Sequence, residues 1–372
     1  MKPLLVLPAV VAVVALSGVV RDVRADQPEA AVSPAAVKAA RDKAISFLRT
    51  TQQDDGSWTA ASSPGITGLV TTSLLRSGVT ADDPMVQKAL KQLLSFRQAD
   101  GGIYNPKSSH GNYETSIVLM ALAEANKSGQ HTSTIAAARD YLKKLQWDDS
   151  EGINRSDVKF GGAGYGKTGD RPDLSNTTFL LDALKAAGVA ADDPAMQNAL
   201  VFVSRCQNLE TEANTTEFAA KINDGGFYYT PAAGGSSQAG MDEKGGLRSY
   251  GSMTYAGLKS MIYAGLKPDD PRVKAATEWL RKNYTLRENP GMGQQGLYYY
   301  FHTFAKALAA VGQPTFTDAK GVAHPWKKEL GEHLLSLQGE NGAWLNKEPR
   351  WMEGDANMAT AYALLTLGYC LP

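Results

Sequence analysis

A short motif recurs six times along this chain, and its spacing constrains the fold more than any bulk property. It reads Gln53-Asp54-Asp55-Gly56-Ser57-Trp58 and returns as Gln98-Ala99-Asp100-Gly101-Gly102-Ile103-Tyr104. Further copies are Phe160-Gly161-Gly162-Ala163-Gly164-Tyr165 and Asn223-Asp224-Gly225-Gly226-Phe227-Tyr228-Tyr229. Fainter ones stand at Gln294-Gln295-Gly296-Leu297-Tyr298 and Gln338-Gly339-Glu340-Asn341-Gly342-Ala343-Trp344. Each copy separates two stretches of helical periodicity, so the unit is a helical hairpin and the chain is an array of hairpins.

The first helices of the units fall at residues 37–51, 85–96, 134–145, 195–206, 272–284 and 325–337. They are amphipathic: Val37, Ala40, Ala44, Ile45 and Leu48 lie on one stripe, as do Val86, Leu90, Leu93 and Leu94. The second helices fall at 67–76, 113–125, 176–187, 252–264, 298–311 and 356–368. They are apolar on more sides, as Ile117, Val118, Leu119, Met120 and Leu122 show, which predicts burial all round. The expected arrangement is all-α, with an inner ring of second helices inside an outer ring of first helices. Asp82-Asp83-Pro84, Asp192-Asp193-Pro194 and Asp269-Asp270-Pro271 read as N-caps with proline at the first helical position, not as metal or catalytic pairs. Gly78, Gly188 and Gly265 just before them close the preceding helices.

Ahead of this array, Lys2 precedes an apolar run over 3–20, and Val23-Arg24-Ala25 has the small residues of a cleavage site. Residues 1–25 therefore read as a signal peptide, 26–36 as a loose Pro/Ala-rich leader, and 37–372 as the repeat domain. Retention of the run as an anchor is the alternative. The expected destination is the periplasm or the medium, with no transmembrane helix after cleavage. Basic and acidic residues balance at 38 each, which gives no footprint for nucleic acid. Cys206 and Cys370 are too few for a disulfide framework, and no Cys/His group has zinc spacing; we expect neither metal nor cofactor.

The motif, with glutamine, glycine and aromatic as in Gln53, Gly56 and Trp58 or Gln338, Gly342 and Trp344, resembles the QW repeat of the prenyltransferase and squalene–hopene cyclase family. The resemblance covers about residues 37–372 and implies an (α/α)6 toroid, with a central cavity at the N-terminal ends of the inner helices. Class II cyclases of that family carry Asp-x-Asp-Asp-Thr, whose middle aspartic acid protonates the substrate. The matching segment here is Asp173-Leu174-Ser175-Asn176-Thr177-Thr178, with serine and asparagine where the middle and last aspartates belong. A hydroxyl and an amide cannot supply that proton, so the resemblance implies the fold without this chemistry. Protein prenyltransferases of the family bind zinc through Asp, Cys and His; Asp355 is present, but Met358 stands at the histidine position. The Gly-Cys-Gly-Glu-Gln of related thioester domains is absent.

Residues at the inner-helix starts form the candidate cavity: His110, Glu114, Asp173, Asn176, Arg248, Tyr250, Tyr255, Tyr298, His302, Trp351, Asp355 and Asn357, with Tyr113, Tyr299 and Met352 beside them. Aromatic walls with a few polar groups suit a small apolar or amphipathic ligand. Converging helix N-termini would favour an anionic group. Asp355 and Asn176 also read as plain N-caps, His110 as a loop histidine, and Arg248 as half of an ion pair. The stretch from Gly161 to Lys167-Thr168 matches phosphate-loop spacing but lacks the preceding strand, and we discount it. The loop over 230–246 is long enough to be a flap. Two further readings stand beside ligand binding: a carbohydrate-active enzyme using Glu114, Asp173 and Asp355, and a repeat scaffold offering its long loops to a protein partner. Whether the chain catalyses a reaction is left open.

Overall fold

A computed structural model describes residues 32–166 and 171–371. The signal-peptide reading and most of the leader lie outside the described residues, as do Lys167 and Thr168. The regular structure of the described part is almost wholly helical. The outer helices are α1 (Pro34–Thr51), α3 (Pro84–Leu94), α5 (Thr132–Leu145), α7 (Pro194–Arg205), α10 (Pro271–Lys282) and α12 (Trp326–Leu337). The inner helices are α2 (Pro64–Arg76), α4 (Gly111–Ala125), α6 (Leu174–Ala186), α9 (Gly251–Tyr263), α11 (Leu297–Val311) and α13 (Ala356–Cys370). A one-turn helix, α8 (Ala219–Ile222), interrupts the long fourth loop, and a two-residue hairpin, Phe316–Thr317 with Ala323–His324, precedes α12.

Inner helices pack in the cycle α2–α4–α6–α9–α11–α13 and back to α2, and each outer helix packs on an inner neighbour. The division follows from sequence. Outer helices bury one stripe, such as Val37, Ala40, Ala44 and Leu48 in α1. Inner helix α4 buries nearly every residue from Gly111 to Leu122. The first helix begins at Pro34, three residues before the apolar stripe, because Ser33 accepts a hydrogen bond from Ala36 N and proline at the first position needs no donor partner. Asp83, Asp193 and Asp270 cap α3, α7 and α10 by accepting from Met85, Ala195 and Arg272 backbone N–H groups, each at 2.9 Å.

The repeated loop does one structural task in four of the six units. Gln52, Gln146, Gln207 and Gln338 donate through Nε2 to the loop glycine carbonyls of Gly56, Gly161, Gly225 and Gly342, at 2.8–3.0 Å. The same amides donate, each at 2.9 Å, to carbonyls of another outer helix: Met85, Ala195 and Arg272 in the first turns of α3, α7 and α10, and Ala40 two turns into α1. The motif glutamine of the first unit is thus Gln52, not Gln53, whose side chain accepts from the Ser57 hydroxyl within its own loop. In the second unit Arg97 occupies that position, and Gln98 donates to the Phe96 and Tyr104 carbonyls. The fifth copy is of another kind: Gly296 is the residue preceding α11, and Gln294 donates to the Arg287 carbonyl. Glycine is required in the regular loops because φ is near +90° and the outer-helix backbone lies against it; a Cβ on Gly225 would sit 2.6 Å from the Ala275 carbonyl oxygen.

A second repeated bond fastens each regular loop to the inner helix that follows. Backbone N–H groups of Trp58, Ile103, Ala163, Phe227 and Trp344 donate to the hydroxyls of Thr67, Thr115, Thr177, Thr254 and Thr360, at 3.0–3.1 Å. Trp58 and Trp344 are fully buried, and their indole N–H groups donate at 2.8 Å to Leu48 and Leu334 carbonyls near the ends of α1 and α12. The aromatic of the motif therefore packs between helices and satisfies a helix-end carbonyl at once. Cys206 and Cys370 are both buried and unpaired.

Candidate functional site

These loops set the inner helices with their first turns facing a common cavity of about 330 Å³. Every inner helix contributes: Gly65 and Ile66 from α2, Tyr113 and Glu114 from α4, Ser175 and Phe179 from α6, Ser252 and Met253 from α9, Tyr299 from α11, and Met358 and Tyr362 from α13. Ser175 and Phe179, like Met358 and Tyr362, are four residues apart, the spacing that stacks two side chains on one helix face.

The wall is mainly aromatic. Phe179 stands edge-on to Tyr113 at 5.2 Å and stacks with Tyr299 at 6.2 Å, and Tyr299 meets Tyr362 at 5.9 Å. Tyr165, from the third loop, lies 6.0 Å from Tyr113 and 5.0 Å from the His110 ring. Burial raises the pKa of Tyr113, Tyr299 and Tyr362, so these phenols remain protonated hydrogen-bond donors.

Two carboxylates touch the cavity, and both are engaged. Glu114 accepts from the Ser63 hydroxyl at 2.8 Å, the Asn105 N–H at 2.8 Å and the Ser108 hydroxyl at 3.2 Å. It thereby ties α2, α4 and the second loop together. Glu353 accepts from the Tyr298 and Tyr299 N–H groups at 3.1 and 2.7 Å and from the Asn346 amide at 2.7 Å. Burial raises its pKa, and the Tyr299 N–H and Asn346 amide pull against that rise.

The mouth is crossed by residues 350–352. Trp351 and Met352 take left-handed backbone angles, φ 55° and 63°, which cost side-chain-bearing residues energy and cluster at functional sites. Arg350 lies 4.3 Å over the Trp351 ring and donates to Gln295 Oε1 and to Gln238 Oε1. Gln238, on the loop expected as a flap, is itself part of the cavity wall.

Of the sequence candidates, His110, Glu114, Tyr250 and Trp351 line this cavity, as do Tyr113, Tyr299 and Met352 named beside them. His302 lies deeper, against a separate small pocket between the inner helices. The remaining seven are not in the wall. Asp173 caps α6, taking the Asn176 N–H and side-chain amide at 2.8 Å each. Asp355 caps α13 through Met358 N and accepts from Thr59, while Asn357 bonds Thr51 and Thr59. Tyr255 is packed among Tyr300 and Phe304 between α9 and α11, and Tyr298 packs against Phe301. Arg248 is exposed on the loop before α9. Of the carboxylates considered for polysaccharide chemistry, Glu114 alone is in the wall. Tyr165, Phe179, Tyr229, Tyr362, Ser175 and Glu353 were not among the candidates; four-residue spacing from the helix starts would have found Phe179 and Tyr362. Among the described residues no group of His, Cys, Asp and Glu could hold a metal ion, and no helix is long and apolar enough to cross a membrane.

No protein-family model matches the chain, and no curated protein matches it. Solved structures do. The apo type II terpene cyclase MstE from Scytonema is 15% identical, with a TM-score of 0.52, over 90% of this chain and 97% of that one. A protein from Actinoplanes is also 15% identical, with a TM-score of 0.54, over 90% and 99%. The chain therefore has a terpenoid cyclase-like fold.

Proposed function

We propose that this chain is an exported, closed (α/α)6 toroid that binds an apolar or amphipathic small molecule of isoprenoid character in its aromatic cavity, without class II protonation chemistry. The observation that carries this reading is at the start of α6. The segment that resembles the cyclase acid motif places Ser175, not a carboxylic acid, in the cavity wall, where its hydroxyl meets the Tyr299 hydroxyl at 3.2 Å. The neighbouring Asp173 is bound up in capping the helix. The cavity retains the features that hold an apolar guest, namely a concave aromatic wall and a size within the usual range for small-molecule sites. At the position of the acid motif it offers a hydroxyl, and the two carboxyls in its wall, Glu114 and Glu353, are already engaged by N–H and hydroxyl donors. Asp355, Asn176 and Asn357 brace the ends of inner helices in this reading, and Glu114 shapes the wall.

The test uses protein purified from the secretory compartment. Native mass spectrometry followed by organic extraction should release an isoprenoid or similar lipid, and a polyprene added to the emptied protein should be recovered uncyclised. Phe179→Ala should weaken polyprene binding about tenfold, since an aromatic contact beyond its buried area is worth up to about 1.5 kcal/mol. Recovery of a cyclised product, or failure of any polyprene to bind, would overturn the proposal. Export is checked by the intact mass, which should correspond to a chain beginning at Asp26.

A further inference from the structure

The inner helices enclose a second, smaller pocket below the floor of the aromatic cavity, and its chemistry is different. Phe179, Tyr299 and Tyr362 belong to both walls. Beneath them Asp182 of α6, Lys259 of α9 and Lys306 of α11 meet. Lys259 Nζ is 2.7 Å from Asp182 Oδ1, and Lys306 Nζ is 2.6 Å from Asp182 Oδ2. All three side chains are at least nine-tenths buried. Arg76, also in the wall, is already matched by Glu124 at 2.7 Å. Two ammoniums therefore face one carboxylate, and one positive charge is left over in a site that water scarcely reaches. Uncompensated buried charge is costly, and buried charges are found paired.

A further group points to the occupant. His302 lines the same pocket, is 8% exposed, and its Nδ1 has no hydrogen-bond partner. Burial and the neighbouring lysines hold it neutral, so Nδ1 can carry a proton and donate it. Each ammonium has three N–H donors, of which its bond to Asp182 uses one. The pocket is about 20 Å³, room for one water-sized guest.

We propose that this pocket is a binding site for one small monoanion, a halide or a carboxylate group, held by Lys259, Lys306 and His302. A carboxylate could come free or as the head of a chain whose tail fills the aromatic cavity above. Only this second source rests on the ligand-binding reading. The full-length mature protein is crystallised in sodium bromide, and separately in bromide with dodecanoate. An anomalous bromide peak against Lys259, Lys306 and His302 is the expected result. If dodecanoate abolishes the peak and leaves chain density in the cavity, the site takes the headgroup; if the peak persists, it takes the free ion. In either case Lys306→Met, which leaves the Lys259–Asp182 pair intact and removes the surplus charge, should eliminate the anion. Bromide soaks of wild-type crystals that give no peak there, with no carboxylate density in the second arm, would overturn the proposal. So would a bromide peak of undiminished height in Lys306→Met. Loss of polyprene binding with the bromide peak intact would count against the proposed function alone.

Discussion

Gln207 shows how much a single side chain does in this fold. One amide holds two backbone carbonyls, Gly225 in its own loop and Arg272 in the next outer helix, and Gln207 is itself buried. Gln207→Ala would strand the Gly225 carbonyl away from water and take the second donor from the Arg272 carbonyl, which α10 still binds. It should cost about 1–3 kcal/mol, the range for a buried group left unsatisfied, measurable as a fall in the urea midpoint at unchanged slope. Gln53→Ala, at the position that sequence alone marks as the motif, should cost under about 0.5 kcal/mol, as an exposed substitution does. Adjacent glutamines at 52 and 53 are indistinguishable in a single sequence. What separates them is which one faces the neighbouring outer helix, and the loop backbone decides that. Asp173 and Asn176 are a similar case: the sequence places them correctly at the head of an inner helix, but both side chains turn back to the helix end, a choice that residue type leaves open.

At the scale of elements, helix positions and their inner or outer character were legible because burial on one side or all sides leaves a direct trace in apolar spacing. The threonine near the head of five inner helices was equally visible in the sequence, but its partner is a backbone N–H with no residue signature. Polar residues deep on inner helices were less legible still. Lys259 and Lys306 lie within apolar stretches, and nothing nearby in sequence announces their shared partner on α6. Their burial has a measurable consequence. Desolvation lowers the Lys259 pKa to about 8, partly opposed by Asp182 and reinforced by Lys306. The surrounding titratable or charged groups are Arg76 on α2, Glu124 on α4, Asp182 on α6, Tyr263 on α9, His302 and Lys306 on α11, and Tyr369 on α13. Below pH 8 both folded and unfolded chains hold the Lys259 proton. Between pH 8 and the ordinary lysine value of 10.5 the unfolded chain alone holds it, so this group raises stability as pH rises. Denaturation of wild type and Lys259→Met at a series of pH values should show the wild type gaining on the variant from pH 8 to about 10. A pH-independent difference would show that Lys259 keeps its proton throughout.

At the scale of the whole molecule, the sixth loop bonds to the first helix as the first, third and fourth loops bond to the outer helices that follow them. Gln338 donates to Ala40 of α1, and Gly342 packs on the Lys43 backbone. The inner-helix contacts likewise return from α13 to α2. An open repeat array needs dedicated end units to cover its exposed faces; a cyclic one has no first or last member. Val32 and Cys370 here flank the same residue, Gly331, so the two ends of the described chain are neighbours. A short Gly/Ser linker could therefore join them, and new termini could be opened in the exposed turn at 80–83 between α2 and α3. Such a permutant should fold with a circular dichroism spectrum and cavity affinity close to those of the original chain. Where the chain is cut would then be a matter of loop tolerance, and other turns between an inner helix and the next outer one could carry the termini as well.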